Sequence, residues 1–437
     1  MSGGRGGVIG DIASGGSRVG TQPQPLKVGV LVDLEFGPDA GGHVKCWQRF
    51  AEAAVEYPNR LDLTVHFQGA EAREVELSPS VRYKLLPPMF STARLVRDMP
   101  DNTDLAGWHP HLARTLGAYD VIHTTDAFFC YARTATRFAR RSGIPVVSSI
   151  HTNTPEYARI STSKLLERLL GTGFAFRLAN DGLGLPNRVS EILERRLVRH
   201  LAAVTSVMGS YAGPLPGENG ERHCGVLLRR GLDRALFSPN RRDRRWFEQR
   251  FGLPADHLVL VYAGKLNAGK NVPILAPIVA ALRGMGLPVH LLCAGTGPDG
   301  AKLAAALGPA LTCVGTLAQE ELARVYASAD LFLFPSMIDE LGNVAVEALA
   351  SGLPVLLADG SGIARQMADC PGLRVLSGKD PAPWVAAIAE LAAAPLRRAE
   401  MARAARACVE ACVPTWSEVL EQDLLPVWQA AVGVSPC

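Results

Sequence analysis

Short apolar runs alternate with amphipathic segments along most of the chain. The runs at 27–34, 61–68 and 144–150 have the length and composition of buried strands. Between them, 43–57 and 128–143 repeat apolar residues every three or four positions, which is the spacing of helices packed against a sheet. Strands that alternate with helices of this length are typical of a doubly wound parallel sheet.

A second alternating series begins near residue 240. Apolar runs at 257–264, 288–295 and 330–336 are separated by helical segments, and the Gly- and Pro-rich stretch 213–225 lies between the two series. We therefore predict an α/β protein with two doubly wound, Rossmann-like domains that face each other across a cleft. Ligands are expected beyond the carboxyl ends of the strands in each domain.

The pattern also predicts how the chain is divided. Residues 1–26 are rich in Gly and Ser and lack the apolar stretch of a signal peptide, so they are expected to form a mobile tail or to follow a start codon placed too early. A first domain over 27–235 contains a helical insertion at 156–203, where the alternation stops. A second domain covers 236–414, and a helix over 415–432 is expected to pack back on the first domain.

Composition narrows the class of protein. The 437 residues are 48% apolar and 20% charged, as in globular proteins with large cores, and the net charge of +3 does not indicate a nucleic-acid partner. Nine scattered cysteines suit a reducing cytosol, and we interpret the close pair Cys408 and Cys412 as two thiols rather than a metal site. Because no run approaches the ~20 apolar residues that span a bilayer, the protein is expected to be cytoplasmic or attached to the inner face of the membrane.

The run SMIDELGNVAVEALASGLPVLLAD, residues 336–359, carries the clearest candidate chemistry. It follows an apolar strand, and a helix is predicted to begin near Asn343. Free backbone N–H groups at a helix N-terminus favour a phosphate or sugar oxygen. Glu347, one turn into the helix, can accept hydrogen bonds from ribose hydroxyls, and Asp339 can do the same for a sugar. On these residues alone, a solvated glutamate and a helix-capping aspartate remain the alternative.

A pair of lysines forms a second candidate site. In YAGKLNAGKNVP, residues 262–273, a strand ends at Gly264, and Lys265 and Lys270 flank the loop before the next helix. Two ammonium groups there can neutralise a diphosphate without a metal ion. No Asp-x-Asp motif follows a strand to hold Mg²⁺, which favours a role for the lysines. Two solvated surface lysines remain the alternative.

The first domain offers two weaker signals. Gly41 and Gly42 follow the first strand and open a helix, so the backbone there can approach a phosphate or an acceptor closely, or simply turn. His151 ends a strand whose carboxyl end is expected to face the cleft, and His123 is a second candidate. A lone histidine is as readily a core or rim residue without a binding role.

These motifs resemble those of glycosyltransferase family 4, the glycosyl transferases of group 1, which are retaining enzymes of the GT-B fold. Residues 336–359 are similar to the family's Glu-x7-Glu signature, with Asp339 in place of the first Glu and Glu347 as the second. Residues 262–273 are similar to its Gly-Arg-x3-Glu-Lys-Asn motif, with Lys265 in place of Arg and a glycine in place of Glu. The lysine keeps the charge but lacks the bidentate fork of arginine.

The resemblance implies a role for each position. The first acid would contact the donor sugar, the second its ribose, and the two lysines the donor phosphates. The glycine loop at Gly297 would lie near the donor base, and His151 would contact the sugar near the reacting carbon. The predicted donor-binding residues are Gly264, Lys265, Lys270, Gly297, Asp339, Glu340, Leu341, Gly342, Asn343 and Glu347, and the predicted catalytic residues are His151, Asp339, Lys265 and Lys270.

The remaining family positions are expected to shape the cleft. Gly41 and Gly42 match a Gly-Gly loop that lines the acceptor side. Arg230 and Asp233 lie in RRGLDRALFSP, which is similar to the segment where the two domains meet in the family, and we interpret both as structural.

The function implied is hexose transfer from a UDP- or GDP-sugar to a lipid or saccharide acceptor, with retention of configuration and with no metal or other cofactor. Two alternatives stay open: a nucleotide-sugar epimerase of the same fold, and a protein of this fold that binds a nucleotide sugar without transferring it. A dehydrogenase is disfavoured because no Gly-x-Gly-x-x-Gly follows the first strand.

The helical insertion at 156–203 gives a hint about the kind of acceptor. Basic and apolar residues over 159–200 could dock on an anionic membrane surface, which would suit a lipid-linked acceptor. The favoured interpretation is instead an amphipathic helix pair whose apolar face lies in the core. The basic residues are Arg159, Lys164, Arg168, Arg177, Arg188, Arg195, Arg196 and Arg199, and the apolar ones are Leu165, Leu169, Leu170, Phe174 and Phe176.

Overall fold

The computed structural model contains two α/β units, each built around its own largely parallel sheet, so the fold class predicted from the sequence is confirmed. The core of each unit lies between the sheet and the helices that cover it. The structure describes residues 24–37, 40–91, 103–151, 154–209, 214–216, 222–337 and 342–433.

The first sheet has eight strands. They are β1 (Leu26–Glu35), β2 (Leu61–Gln68), β3 (Arg73–Ser78), β4 (Val81–Leu86), β5 (Val121–Thr124), β6 (Val146–Ile150), β7 (Ser206–Gly209) and β10 (Val226–Leu227), while β8 (Pro214–Pro216) and β9 (Arg222–Cys224) form a separate pair. Within the eight-stranded sheet, every neighbouring pair of strands is parallel except β3 and β4. The order β10-β7-β6-β5-β1-β2-β4-β3 changes direction at β1, so a crevice opens between the carboxyl ends of β1 and β5.

The second sheet has six strands, all parallel. They are β11 (Leu258–Ala263), β12 (Val289–Ala294), β13 (Leu311–Gly315), β14 (Leu331–Phe334), β15 (Val355–Ala358) and β16 (Leu373–Leu376). The order β13-β12-β11-β14-β15-β16 changes direction between β11 and β14. The segments that follow these two strands therefore meet at the place where open α/β sheets bind ligands.

Helices cover both sheets because their apolar stripes face the strands. They are α1 (Gly42–Ala54), α2 (Pro110–Thr115), α3 (Cys130–Ser142), α4 (Thr154–Leu170), α5 (Phe174–Arg177), α6 (Leu185–Leu201), α7 (Arg244–Phe251), α8 (Leu275–Gly284), α9 (Gly300–Leu307), α10 (Gln319–Ser328), α11 (Asn343–Ala350), α12 (Gly362–Gln366), α13 (Ala382–Ala393), α14 (Pro395–Cys412), α15 (Trp416–Val419) and α16 (Leu425–Ala431). None of the helices in the described ranges combines the length and the apolar composition needed to span a bilayer.

The last helices of the chain complete the core of the first unit. Val419, Leu424 and Trp428 are fully buried among residues of β1, β2 and α1. The indole N–H of Trp428 donates to Nδ1 of His123 at 2.9 Å, and both groups are buried. His123 is therefore held inside the core rather than at the cleft.

The edge strands β3, β10 and β16 were not predicted; β10 has only two residues, and the other two gave little signal for different reasons. In β3, Arg73–Ser78, charged residues alternate with few apolar ones, and the strand is only partly buried. The other, Leu373–Leu376, is four residues long and gives almost no periodic signal. The strand predicted at 202–207 begins later, at Ser206, because α6 continues to Leu201.

The insertion forms a hairpin in which α4 packs along α6. The interpretation that its apolar face lies in the core is wrong, because several of its large apolar side chains are open to solvent. Leu169 is 70% exposed and Phe174 is 81% exposed, and Leu165 and Leu170 are exposed as well. The hairpin is fixed to the body near its carboxyl end, where Leu197 and Leu201 pack on Ile150.

Replacing Trp428 with alanine is expected to destabilise the protein, because it removes a fully buried indole and leaves the His123 ring nitrogen without its partner. Truncations of this kind cost about 3–5 kcal/mol. Denaturant unfolding followed by circular dichroism measures the loss. The matched control is Leu396→Ala, at a position that is 80% exposed. Equal stability of the two variants would contradict the packing of the C-terminal helices in the first unit.

Candidate active site

A cleft of about 1150 Å³ lies between the carboxyl ends of the two sheets. It brings together most of the residues predicted from the sequence to bind a ligand. From the first unit it is lined by Gly41, Gly42 and His151, and from the second by Gly264, Lys265, Lys270, Asn343 and Glu347. Three further predicted residues, Asp339, Glu340 and Leu341, lie outside the described residues.

The first lysine follows β11 on a turn that needs glycine. Gly264 has a φ of 141°, a conformation that residues with a Cβ rarely adopt. The Tyr262 hydroxyl donates to the Lys265 carbonyl at 2.9 Å, which fixes the backbone where the lysine side chain enters the cleft.

The second lysine is held by two asparagines. The side chain of Asn267 accepts a hydrogen bond from the Lys270 N–H at 3.0 Å and so caps a short turn. Asn271 has a φ of 55°, and its amide donates to the carbonyls of Pro335 and Gly378 at 3.1 and 2.7 Å. The lysine loop is thereby joined to the end of β14, at the point where the second sheet changes direction.

Two glycine loops pack backbone to backbone beside the lysines. A Cβ at Gly295 would lie 1.9 Å from the Gly264 carbonyl oxygen, and one at Gly297 would lie 2.3 Å from that of Leu266. Gly295 and Thr296 line the cleft, whereas Gly297 sits behind them against Leu266. The role of the predicted base-binding glycine is thus to allow this close approach.

Helix α11 starts on the opposite side of the lysine loop. Its N-cap, Gly342, has a φ of 52°, and a Cβ there would lie 2.8 Å from the Ile363 side chain. The prediction that a helix begins near Asn343 is confirmed. At the end of β14, the Ser336 hydroxyl is buried, lines the cleft and has no hydrogen-bond partner within the described residues.

Glu347 lies one turn into α11 and faces the cleft. Burial raises the pKa of its carboxyl to about 8, and the charges of Lys45 and Arg49 across the cleft partly oppose the rise. Burial therefore favours the neutral form of the carboxyl. A protonated carboxyl can both donate and accept hydrogen bonds, as vicinal hydroxyls can.

The first unit contributes two neutral imidazoles. The rings of His43 and His151 lie 5.0 Å apart, and His151 Nε2 is 2.9 Å from the Ser149 hydroxyl. Burial lowers the pKa of His43 to about 3 and that of His151 well below its usual value, and the Arg230 charge adds to both effects. Burial therefore favours the neutral form of both rings, which has one N–H donor and one acceptor nitrogen.

Three cationic side chains of the first unit that line the cleft were not predicted as site residues. Lys45 and Arg49 lie one helical turn apart on α1, and Arg49 hydrogen bonds to Gln319 of the second unit. The Arg230 guanidinium contacts the Cys46 sulfur, and its Nε is buried with no hydrogen-bond partner among the described residues. Arg230, which we interpreted from the sequence as structural, also lines the cleft. The spacing of Lys45 and Arg49 after the Gly-Gly pair was the available sequence signal.

The chain passes between the two units twice, near Gly231 and near Pro414, and these two crossings form the floor of the cleft. Gly231 packs on Trp416 so closely that a Cβ would lie 2.5 Å from the Trp416 Cα. The Leu232 N–H donates to the Pro414 carbonyl at 2.9 Å, and Asp233 accepts backbone N–H groups of the following turn. These contacts fix where the first unit's cations stand relative to the second unit.

No group of three or more His, Cys, Asp and Glu side chains is close enough to hold a metal ion in the described part of the chain. Cys408 and Cys412 are free thiols on α14.

The shifted pKa of Glu347 predicts a pH-dependent stability. Its folded-state pKa lies above the unfolded value of ~4.3, so the stability that the neutral carboxyl contributes is present below the unfolded value and is lost as the pH rises through about 8. The melting temperature of the wild type is expected to fall relative to that of Glu347→Gln over that range. Thermal unfolding at a series of pH values checks this.

The exposed Glu320→Gln variant on α10 is the control, and its difference from the wild type should stay constant over the same range. A constant difference for Glu347→Gln as well would show that the carboxyl is not buried in solution.

Comparisons with known proteins place the chain in a family. The model of the glycosyl transferases group 1 matches residues 257–394. The D-inositol 3-phosphate glycosyltransferase of Streptomyces avermitilis is 30% identical over 402 residues, which cover 84% of this chain and 79% of the relative.

Solved structures share the architecture. Sucrose-phosphate synthase from Thermosynechococcus elongatus superposes with a TM-score of 0.64 at 18% identity, covering 93% of this chain and all of the other. HepE from Anabaena in complex with UDP and glucose superposes with a TM-score of 0.61 at 16% identity, covering 91% of this chain and 98% of the other. The two facing units are thus the GT-B fold, and the chain belongs to the glycosyl transferases of group 1 and is a glycosyltransferase.

Proposed function

We propose that this protein is a retaining, metal-independent transferase that moves a hexose from a nucleotide-diphosphate sugar, UDP- or GDP-linked, to a lipid or saccharide acceptor. The observation that carries the proposal is the convergence of Lys265, Lys270 and Glu347 on one cleft, at the point where the second sheet changes direction. Neither lysine nor glutamate alone would define a site, but a diphosphate sugar has the charge and the hydroxyls that fit all three.

The donor would lie along the second unit. Its ribose hydroxyls would meet the Glu347 carboxyl, and its diphosphate would sit between the two lysines and the start of α11, where free N–H groups favour anions. The buried Ser336 hydroxyl supports this placement, because buried polar groups normally have a partner and a phosphate oxygen would provide one. HepE, a structural neighbour, was solved with UDP and glucose, which supports a donor of this class.

The lysines would act on the leaving group. As the bond to the sugar breaks, negative charge grows on the diphosphate, and two fixed ammonium groups in a partly desolvated cleft stabilise it without reorganisation. The neutral imidazoles of His43 and His151 would border the sugar. Since no described side chain there is a charged acid or an evident nucleophile, we assign the acceptor proton to the leaving phosphate and attack to the same face of the sugar.

The acceptor would enter over the first unit, near Gly41 and Gly42, and we propose that it carries an anionic group such as a phosphate. The support is the cationic wall of Lys45, Arg49 and Arg230. Arg49 is paired with Glu52 at 2.6 Å, but the one acid among the described lining residues on that side is Asp233, which already accepts backbone N–H groups. The curated relative from Streptomyces avermitilis is named for D-inositol 3-phosphate. Closure of the two units over both substrates would exclude water.

Two alternatives raised by the sequence are not retained. The family to which the chain belongs is one of transferases, so an epimerase and a protein that only binds nucleotide sugars have no support from it.

Replacing Lys270 or Glu347 with alanine is expected to slow donor turnover, because each removes a group that holds or stabilises the diphosphate sugar. The expected loss for Lys270→Ala is about 100-fold. Release of UDP or GDP from a panel of nucleotide sugars measures it, and EDTA should leave the wild-type rate unchanged. Lys302→Ala, at an exposed lysine of α9, is the control. Near wild-type rates in both variants would remove the proposed donor site.

Replacing Arg230 with glutamine is expected to weaken the binding of a phosphorylated acceptor selectively. Loss of a charged hydrogen bond to phosphate should raise the acceptor KM roughly 10- to 100-fold, whereas donor hydrolysis, which needs no acceptor, should change much less. D-Inositol 3-phosphate and unphosphorylated inositol are the paired probes, and Arg245→Gln, on the exposed side of α7, is the control. Equal effects on both probes would contradict an anionic acceptor.

A further inference from the structure

The helical hairpin formed by residues 154–201 has an unusual apolar tip. Where α4 ends and α5 begins, Leu169, Leu170 and Phe174 are exposed, and Leu178 and Leu183 extend the same region at 48% exposure each. Large apolar side chains that cluster outside the core of a soluble protein mark a surface that meets a partner or a membrane.

The hairpin also carries the whole excess positive charge of the chain. Of the 45 basic and 42 acidic residues, eight and five lie between residues 154 and 201. The rest of the chain therefore has 37 of each sign and is neutral. Near the tip, Arg168, Arg177 and Arg188 lie with the acids Glu167 and Asp181, whereas Arg195, Arg196 and Arg199 lie toward the base of the hairpin. The net positive charge beside exposed apolar side chains complements a surface that is anionic outside and apolar beneath.

The charged residues nearest the tip fit such a surface. Arg177 and Arg188 are exposed on either side of the π-helical turn at Leu178–Gly182. The acids there are Glu167 and Asp181, and the Asn180 amide donates to Asp181 at 2.6 Å. Long arginine side chains can hold their guanidinium groups at the level of lipid headgroups while the apolar residues between them reach deeper.

We propose that this hairpin docks the enzyme on an anionic lipid surface, with Leu169 and Phe174 at the boundary of the acyl chains and Arg177 and Arg188 among the headgroups. Helix α4 begins three residues after His151 and is 17 residues long, so its tip lies roughly 25 Å along the helix from the cleft rim. Docking would therefore hold the acceptor side of the cleft within roughly 25 Å of the membrane surface. The proposal rests on the hairpin alone and does not depend on the identity of the donor.

A second copy of the chain is a less suitable occupant. In a symmetric dimer the same patch meets itself, and two hairpins that each carry the excess positive charge would repel. An anionic bilayer supplies both the apolar layer and the opposite charge.

Co-sedimentation with vesicles tests the proposal. The full-length protein is expected to bind vesicles of phosphatidylcholine with phosphatidylglycerol at low salt, and to bind pure phosphatidylcholine much less. The double variant Leu169→Ser with Phe174→Ser should reduce binding about tenfold or more, and Arg177→Gln with Arg188→Gln about 30-fold. Leu396→Ser, an exposed leucine on α14, is the matched control and should bind as the wild type does.

Tryptophan fluorescence reports directly whether the hairpin tip enters the lipid. In Phe174→Trp the added indole should shift to shorter wavelength when anionic vesicles are added, and Leu396→Trp should not. No vesicle binding at low salt, or unchanged binding by both hairpin variants, would overturn the proposal. A concentration-dependent dimer in light scattering that the serine variant abolishes would overturn it in favour of a second copy. Donor turnover without vesicles is measured separately, so failure here leaves the proposed function in place.

Discussion

The cleft depends on the contact between the two chain crossings beneath it. Because Gly231 has no side chain, the backbone of Trp416 can lie against it, and the Leu232–Pro414 hydrogen bond holds the pair together. A larger residue at 231 would push the crossings apart and move Arg230 with them. The distance of the first unit's cations from Glu347 on α11 thus depends on the close approach that Gly231 allows.

Burial decides the charges in the cleft. Withdrawal from water favours the neutral forms of Glu347 and of the two histidines. The result is a chamber with strongly positive walls, in which a diphosphate meets attraction and little repulsion. The lysines and arginines lining it are Lys45, Arg49, Arg229, Arg230, Lys265, Lys270 and Arg365.

The sequence predicted what local pattern determines and missed what tertiary contact determines. The buried strands, the glycine turn at Gly264 and the helix start at Asn343 follow from short-range rules, and the structure has them. The place of Arg230 in the cleft was not predicted, because it depends on a crossing between the two units. That crossing brings Arg230 beside His43, which is far away in the sequence. The sequence left two interpretations of the hairpin open, because a helix with an apolar stripe has the same pattern whether that stripe meets a core or faces outward.

The packing of α15 and α16 in the first unit has a consequence for how the chain matures. The second unit is continuous in sequence and can form as soon as it leaves the ribosome. The first unit, although most of it is translated earlier, stays without Leu424 and Trp428 until the segment that follows the second unit has been made. Its core is therefore completed only after the second unit has been translated.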